Sequence, residues 1–563
     1  MIRNAFGGRR LIQLTEAFNN DGFDIVQVTK YNGRLGITAE SRLASNYDTG
    51  KPKRVYYLEG TPYETGYLMG CLAENEVSRI TCEFADKVVF SFIGNTTLEK
   101  AKLLQEAFIK LVYMFSRSTW EKQPEEIKDE VRGIFEGCKK YNPKTKVNME
   151  HLIVLNLGVD ILCSRVYTGG FMKRGLQPEF DPEDYRIPLM CNAFTVSGKS
   201  AANGYFFGRD FMFPMAGVLQ DIMAMIIYNP VGKENQRAIP MVSLAAPGMI
   251  GSIASMNLDG IALGVDMSPG INCDSQNIGT NSLLLTKLCT QLCDSAEAVV
   301  DKMESIRRGV SWAYIVADGK NDRSCVVEAG ASGNAPDFTK FVPEEYRPVL
   351  PDMSFIAEHG SETFRNGLMA RWNNYGYPKE YLRFNQNIWD FYNSKNQTNM
   401  TIAPEAFSER GYINKSRKDK NCPSTYYFAP QREESDEILI ATNHYIIPEM
   451  RYFAMHKWVQ EILKKSLNDI QWRYDTLNDM ILEKIEMNGS ISFTDAKELT
   501  GFLSPCGRFP DYYNDNPRSR DGKEVRIEGC DCTFDLKNCI VESHYGYYCD
   551  NWVRLTLPKY FCD

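Results

Sequence analysis

The residue with the clearest chemical potential is Cys191, which follows a charged, Gly- and Pro-rich segment and begins the strand-like run CNAFTV. Breaking the Met190–Cys191 bond would give this cysteine a free α-amine, whose ordinary pKa of about 7.7–8.0 lies well below that of a lysine. The amine can then take the proton of its own thiol, so that one residue is both nucleophile and general base. By itself, a cysteine at a strand start is more often a buried apolar side chain. The neighbouring residues therefore decide the prediction.

The hairpin CNAFTVSGKSAANGYFFGRDFMF resembles the segment that opens the mature chain of isopenicillin-N acyltransferases and choloylglycine hydrolases, which are N-terminal-nucleophile (Ntn) hydrolases. The resemblance implies that Arg209 stabilises the nucleophile, since a cation beside sulfur lowers the thiol pKa; a surface salt bridge is the alternative. The family Asn after this Arg is Asp210 here, and the family Asp is Met212. Asp210 is therefore a candidate replacement for that carboxylate, with a strand-capping role as the alternative.

Further motifs supply the other candidate site residues. MNLDGIALGVDM is similar to the family Asn-x-x-Gly hairpin, which implies substrate binding by Asn257 and places Asp266 at the position of an oxyanion-binding Asn. An ionised carboxylate cannot donate a hydrogen bond, so Asp266 fills that role only when protonated. ATNHYI resembles the family Thr-Asn-His strand end, which implies an oxyanion role for Asn443 and a substrate-side or structural role for His444. QWRYDTLNDMI resembles a family helix and places Arg473 as a buttress of the site, with a helix-surface arginine as the alternative.

The elements that must position these residues are readable from spacing. Three-to-four spacing of apolar residues predicts helices in TPYETGYLMGCLAENEV, in QPEEIKDEVRGIFEGCKKY and in MEHLIVLNLGVDILC. Alternating segments around Gly, Asn and Asp turns predict hairpins over 191–213, 222–244, 252–267 and 311–330, with a helix pair between the last two. Residues 1–50 read as a polar, weakly strand-forming lead-in. Antiparallel sheets covered by helices, an α+β fold, follow from this order.

LEGTPYETGYLMG, EEIKDEVRGIFEG and VLNLGVDI also resemble the acyltransferase family, so the resemblance covers roughly residues 55–330 and 436–560. It implies a four-layer αββα Ntn-hydrolase sandwich preceded by a helical pro-segment. Residues 1–190 would form the pro-segment or small subunit, largely helical from about 60, and residues 191–563 the catalytic domain. We predict an insertion at about 331–435, because Pro, Asn, Tyr and charged residues interrupt the strand pattern there.

Bulk composition narrows the function classes. The chain has 563 residues, a net charge of -8 and interspersed charges, which disfavours nucleic-acid binding. We find no apolar run of membrane-spanning length and no secretory signal, and therefore predict a cytoplasmic protein that does not bind membranes. The sixteen cysteines, including the C-x-C at Cys530 and Cys532, lack paired metal-ligand spacing, so we predict reduced structural thiols, no metal and no cofactor.

The leading hypothesis is an autoproteolytic Ntn hydrolase or acyltransferase that cleaves between Met190 and Cys191 and acts on a small-molecule amide or acyl substrate. The pro-segment is expected to stay associated after cleavage, and a homo-oligomer is compatible with the sequence. One alternative is a catalytically silent binding protein, suggested by Met212 and Asp266 in place of family polar residues. The other is a papain-like thiol hydrolase that pairs Cys191 with His444 without processing.

Overall fold

The computed structural model describes residues 8–46, 51–84, 98–169, 190–214, 218–232, 237–337, 364–375, 435–454, 459, 470–502, 527–546 and 550–561. Helices and strands alternate in these ranges, which confirms the prediction of a mixed helix and sheet fold. Among the described residues, none of the helices combines the length and the apolar character that crossing a membrane would require.

In the described part of the chain, ten strands form one large sheet in the order β1-β2-β3-β6-β7-β8-β9-β10-β11-β12. Neighbouring strands are antiparallel, except that β3 and β6 run parallel. The strands span Phe23–Tyr31 (β1), Arg34–Ser41 (β2), Arg54–Gly60 (β3), Ala224–Pro230 (β6), Met241–Ala245 (β7), Ala254–Asn257 (β8), Ile261–Met267 (β9), Trp312–Asp318 (β10), Arg323–Ala329 (β11) and Leu368–Trp372 (β12).

Six further strands of the described ranges form a smaller antiparallel sheet in the order β13-β4-β5-β14-β15-β16. Its strand β4 carries Cys191 and pairs with β13 on one side and β5 on the other. The strands span Met190–Val196 (β4), Phe206–Pro214 (β5), Ile438–Ala441 (β13), Ile527–Asp535 (β14), Ile540–Ser543 (β15) and Val553–Thr556 (β16).

The helices follow the predicted signals where those signals are strong. The helix at Pro62–Leu72 begins with a capping box, in which the Thr61 side chain accepts from the Glu64 N–H and the Glu64 side chain accepts from the Thr61 N–H. The helices span Arg9–Asn20 (α1), Pro62–Leu72 (α2), Glu74–Ser78 (α3), Leu98–Glu121 (α4), Glu125–Tyr141 (α5), Met149–Tyr167 (α6), Leu219–Ile222 (α7), Ser282–Leu292 (α8), Ala296–Ser305 (α9), Pro448–Ala454 (α10), Ile470–Asn488 (α11) and Phe493–Phe502 (α12).

Three apolar clusters of the described residues show how these elements pack. One lies between the outer face of the large sheet and helices α2, α5, α6, α8 and α9. A second lies between the two sheets, and a third joins the outer face of the small sheet to α11 and α12. Strands β10 and β11 are therefore buried on both faces, and β10 is a nearly continuous apolar run. Side chains on the inner faces of both sheets, including that of Cys191, lie between two layers of strands.

The hairpin predictions are confirmed by the pairings β4–β5, β6–β7, β8–β9 and β10–β11. Two elements differ from expectation. The lead-in contains helix α1, whose Leu11, Leu14 and Phe18 are buried, followed by two strands of the large sheet. Strand β12 lies within the predicted insertion and forms an edge of the large sheet. The division at 190/191 stays a prediction, although β1 to β3 belong to the same sheet as β6 to β12.

Candidate active site

Cys191 lies on the inner face of β4, where only 4% of its surface is exposed. Strand alternation directs Cys191 and Ala193 toward the large sheet and Asn192 toward α11. Phe211 pairs with Cys191 and Arg209 with Ala193 in the β4–β5 register. The hairpin predicted around the cysteine therefore brings Arg209 to the same face as the thiol.

The backbone N–H of Cys191 has a side-chain acceptor. It donates to Oδ1 of Asn443 at 2.7 Å, and Nδ2 of Asn443 donates to the carbonyl oxygen of Met267 at 3.0 Å. Because β-sheet N–H groups normally donate to a neighbouring strand, a side-chain acceptor at this position is unusual. The nitrogen that would become the α-amine is thus already held by one of the predicted site residues.

Arg473 joins the same group from helix α11 and is fully buried. Its Nη1 donates to the carbonyl oxygen of Cys191 at 2.8 Å and to Oδ1 of Asn192. Its Nη2 donates to Oδ1 of Asn443 at 3.1 Å. One guanidinium fork therefore fixes the backbone of Cys191 and the amide of Asn443 together, which agrees with the predicted buttress and not with a helix-surface arginine.

Arg209 is also fully buried and faces Asp266, with 2.7 Å between Nη2 and Oδ1. Gly264 makes room for it, because a Cβ there would lie 3.0 Å from Cδ of Arg209. Burial lowers the pKa of Arg209, but Asp266 and Cys191 raise it by more, so the net shift is upward. The alternative of a surface salt bridge is wrong, since both side chains are buried. The guanidinium is a fixed positive charge beside the thiol.

Asp266 acts as the counter-ion of Arg209. Burial raises the pKa of Asp266, while the charges of Arg209 and Arg473 oppose that rise. An arginine stays protonated in a protein, so a neutral Asp266 would leave a buried charge uncompensated. We therefore assign an ionised carboxylate here, which forms an ion pair with Arg209 and cannot donate to an oxyanion.

Asp210 does not reach the thiol. It pairs with Asn192 across β4 and β5, and both side chains lie on the face toward α11, opposite to Cys191. Nδ2 of Asn192 donates to Oδ2 of Asp210 at 3.2 Å. Asp210 therefore does not stand in for the family carboxylate beside the thiol. It orients Asn192 on the opposite face of the strand. Sequence reasoning missed Asn192, although it directly follows the cysteine.

The contacts of His444 and Asn257 are with neighbouring structural groups. Nδ1 of His444 lies 2.9 Å from Oγ1 of Thr442, and its ring packs edge-on against Tyr474. Nδ2 of Asn257 donates to the carbonyl oxygens of Thr290 and Cys293, and its Oδ1 accepts from backbone N–H groups of the turn after β8. It lies at the end of the β8–β9 hairpin remote from Asp266, about 15 Å away at strand spacing. Its predicted role in substrate binding is therefore replaced by a structural one.

A further residue that sequence reasoning missed holds the segment that carries Asn443. Glu328 on β11 accepts the N–H groups of Ile446 at 2.9 Å and of Ile447 at 3.1 and 3.3 Å. Arg371 of β12 faces the same carboxylate, with 3.6 Å between Nε and Oε1, and donates from Nη2 to the carbonyl oxygen of Ile440. A Glu within the apolar run CVVEAG was the available signal. Strand β12 thus supports the segment that carries Asn443.

Glu328→Gln is expected to remove part of the pH dependence of stability. Burial raises the pKa of Glu328 to about 7, even though Arg371 and two N–H groups lower it. A raised folded pKa means that the stabilisation is complete below the unfolded pKa and is lost as pH rises through 7. Urea unfolding should therefore show that the free energy of unfolding falls between pH 5 and pH 8, and that this fall is about 2 kcal/mol smaller in the variant than in the wild type.

Glu297→Gln is the matched control, because Glu297 forms an exposed ion pair with Arg323. It should change the free energy of unfolding by less than about 1 kcal/mol at either pH. If the free energy of unfolding changed equally with pH in the wild type and in Glu328→Gln, the assignment of Glu328 as a buried titrating group would be contradicted.

No protein-family model matches the chain. An uncharacterized protein of Archaeoglobus fulgidus is 26% identical over 537 residues, which are 95% of this chain and 69% of that protein. Among solved structures, the N-acylethanolamine-hydrolyzing acid amidase ortholog of Caenorhabditis elegans aligns with a TM-score of 0.28 and 9% identity, covering 62% of this chain and 93% of that one. Two variants of conjugated bile acid hydrolase from Clostridium perfringens align with TM-scores of 0.30 and 0.31 and identities of 10% and 9%, each covering 66% of this chain and 93% of theirs. These TM-scores are low, and function must be argued from the contacts around Cys191.

Proposed function

We propose that the chain is an autoproteolytic Ntn hydrolase that cleaves itself between Met190 and Cys191 and then hydrolyses linear amides through Cys191. The observation that carries the proposal is the 2.7 Å hydrogen bond from the Cys191 N–H to Asn443. That bond holds the nitrogen of the scissile peptide, and Arg473 binds both partners. A merely buried structural cysteine needs none of these contacts.

Self-cleavage would begin with attack of the Cys191 sulfur on the carbonyl carbon of Met190. The C–N bond to Cys191 breaks, the nitrogen takes up the thiol proton, and a thioester links Met190 to Sγ of Cys191. Water then hydrolyses the thioester to the Met190 carboxylate and the free thiol. The new amine keeps Oδ1 of Asn443 as its acceptor, so the freed end is already positioned.

In turnover, the α-amine of Cys191 accepts the thiol proton as the sulfur attacks the amide carbonyl of the substrate. The resulting ammonium protonates the leaving amine, and a thioester remains on the enzyme. Water, deprotonated by the amine, releases the acid. Acyl transfer follows the same course when another amine or a thiol replaces water, so the contacts around Cys191 support both outcomes.

The charges around the cysteine suit this chemistry. Arg209 interacts with the thiol. Nη2 of Arg473 lies 3.1 Å from Oδ1 of Asn443, the oxygen that accepts the hydrogen bond from the Cys191 N–H. A nearby positive charge favours the thiolate and disfavours the ammonium, so both cations favour the reactive pair of thiolate and neutral amine. Asn443 uses one of its two Nδ2 hydrogens on Met267, which leaves the second for a developing oxyanion.

The packing supports the finer parts of the fold assignment. Helices, large sheet, small sheet and helices follow one another through the three apolar clusters, as expected for an αββα sandwich. The segment before Cys191 contributes β3, which pairs in parallel with β6, and Asp160, which accepts from N and Oγ of Ser282 at 2.8 Å. We infer that both fragments remain one folded unit after cleavage.

Mass spectrometry and size-exclusion chromatography of the purified wild-type protein test this proposal. We expect two fragments, 1–190 and 191–563, that elute together and separate only in denaturant, because the backbone pairing between β3 and β6 crosses the cut. The protein should also hydrolyse members of a panel of N-acyl amides. An intact 64.2 kDa chain without hydrolase activity would instead support the silent binding protein.

A further inference from the structure

A row of buried polar groups runs from Cys191 across the strands of the small sheet. It continues from Asn192 to Asp210 and then to Asp531, which pairs with Asp210 across β5 and β14. Oδ2 of Asp531 lies 2.9 Å from Nε2 of His544. All four side chains beyond the cysteine are more than nine-tenths buried. Self-cleavage and amide hydrolysis, as described above, use neither Asp531 nor His544.

The two aspartates need a shared proton. They lie directly opposite each other on neighbouring strands and both are buried, and two ionised carboxylates in such positions would repel each other strongly. Oδ1 of Asp531 is buried and has no hydrogen-bond partner among the described residues. Burial raises the pKa of Asp531 to about 7, although Asp210 and the charge of Arg209 lower it. The pair therefore holds its proton in the acidic to neutral range.

We propose that Asp531 and His544 are positioning residues for the Cys191 reaction, acting through Asp210, Asn192 and Arg473. The inference rests on the proposed function, because positioning matters only if Cys191 reacts. Asp531 fixes Asp210, and Oδ2 of Asp210 accepts from Nδ2 of Asn192. This contact decides which end of the Asn192 amide faces α11.

The orientation of Asn192 matters because its Oδ1 accepts from Nη1 of Arg473. The same Nη1 holds the carbonyl oxygen of Cys191, and Nη2 holds Asn443. An inverted amide would present an N–H group to a guanidinium that has no acceptor capacity. Loss of the shared proton would place two adjacent carboxylates behind Asn192, and their repulsion would displace Asp210.

The side chains around the aspartate pair and His544 include both positively and negatively charged groups. Trp552 covers His544 edge-on at 4.6 Å, and Lys497 of α12 pairs with Glu542 nearby. The titratable and charged groups facing the pair and His544 are Arg209 on β5, Arg473 on α11, Asp266 on β9, Cys530 and Cys532 on β14, Lys497 on α12 and Glu542 on β15. Both arginines lie on the side toward Cys191. The His544 end is closed by an aromatic ring and a neutralised ion pair.

The pH dependence of wild type, Asp531→Asn, His544→Gln and His544→Leu tests the proposal. Asp531→Asn cannot ionise, so the fall of kcat on the alkaline side, which begins near pH 7 in the wild type, should disappear. We expect kcat of His544→Leu to fall about 10- to 100-fold with KM changed less than twofold, since misplacement acts on the reaction and not on substrate affinity. His544→Gln retains a donor and should restore most of kcat.

Asp535→Asn is the matched control, because Asp535 lies on the same strand and caps the turn at Asn538. It should retain the wild-type pH profile. Unchanged kcat and pH profile in Asp531→Asn and His544→Leu, with folding verified by circular dichroism, would overturn the proposal. So would a change in Asp535→Asn equal to theirs.

Infrared difference spectra between pH 6 and pH 9 give a readout that does not depend on activity. Glu328 should contribute one protonated-carboxyl band that vanishes with rising pH in both proteins. A second such band should vanish in the wild type and be missing from Asp531→Asn. If this band behaves as expected while the wild type is uncleaved and inactive, the proposed function fails and the shared proton stands. If hydrolysis is present but the band is unaltered in Asp531→Asn, the positioning proposal fails alone.

Discussion

Cys191→Ala is expected to abolish self-cleavage and to reduce amide hydrolysis by at least about 10³-fold, because it removes the only atom that forms the thioester. Cys191→Ser should cleave slowly, since a hydroxyl keeps the proton-transfer geometry and loses the intrinsic nucleophilicity of sulfur. Intact mass over time, together with turnover of an N-acyl amide, measures both effects. Neither change should unfold the chain, because only one buried atom is altered.

Cys325→Ala provides a control at another buried cysteine. Cys325 lies on β11, in the cluster between the large sheet and the helices, away from Arg209 and Asn443. It should lower stability modestly by leaving a small cavity and should leave cleavage intact. Cleavage or turnover that persists in Cys191→Ala would refute the assignment of the nucleophile.

Removal of Asp266 is expected to produce the largest loss of stability among the site residues. Asp266→Ala leaves the guanidinium of Arg209 buried without a counter-ion, and breaking such a pair costs about 3–5 kcal/mol. Activity should fall as well, because Gly264 and Asp266 together determine where Arg209 lies. Urea unfolding and kcat/KM measure the two effects.

Asp266→Asn separates the two roles assigned to this position. An amide there would donate to an oxyanion, as the family resemblance implies, but it cannot neutralise Arg209. We expect Asp266→Asn to lose stability and activity, in keeping with the counter-ion role. Higher activity in this variant would show that oxyanion binding is the missing function. Asp24→Ala, which breaks the exposed pair with Arg42, should cost no more than about 1 kcal/mol.

Much of the fold was predictable because its signals are local. The capping box at Thr61, the three-to-four spacing along α5 and the turns between hairpin strands depend on residues close together in the chain. Helix α1 was missed although Leu11, Leu14 and Phe18 have helical spacing, because the polar residues between them dominated the composition. Strand β12 was missed because its five residues stand alone in a polar segment and are stabilised by pairing with β11.

The residues of the candidate site also divide into those that the sequence identified and those that only the structure identified. Sequence resemblance identified Cys191, Arg209, Asn443 and Arg473, and the structure brings all four together. The β4–β5 hairpin was also predicted, and its observed register places the cysteine and Arg209 on one face. The sequence alone therefore determined the nucleophile candidate and the residues that surround it.

Only the tertiary structure decided the roles of the carboxylates. Asp266 and Arg209 belong to different sheets, Asp210 and Asp531 lie on neighbouring strands, and His544 directly follows β15, so their pairing depends on how the sheets assemble. The same holds for Glu328, which reaches a segment more than a hundred residues away. A buried charge is stable only beside a specific partner, and that partner is fixed by packing across sheets, which spacing along the chain does not encode.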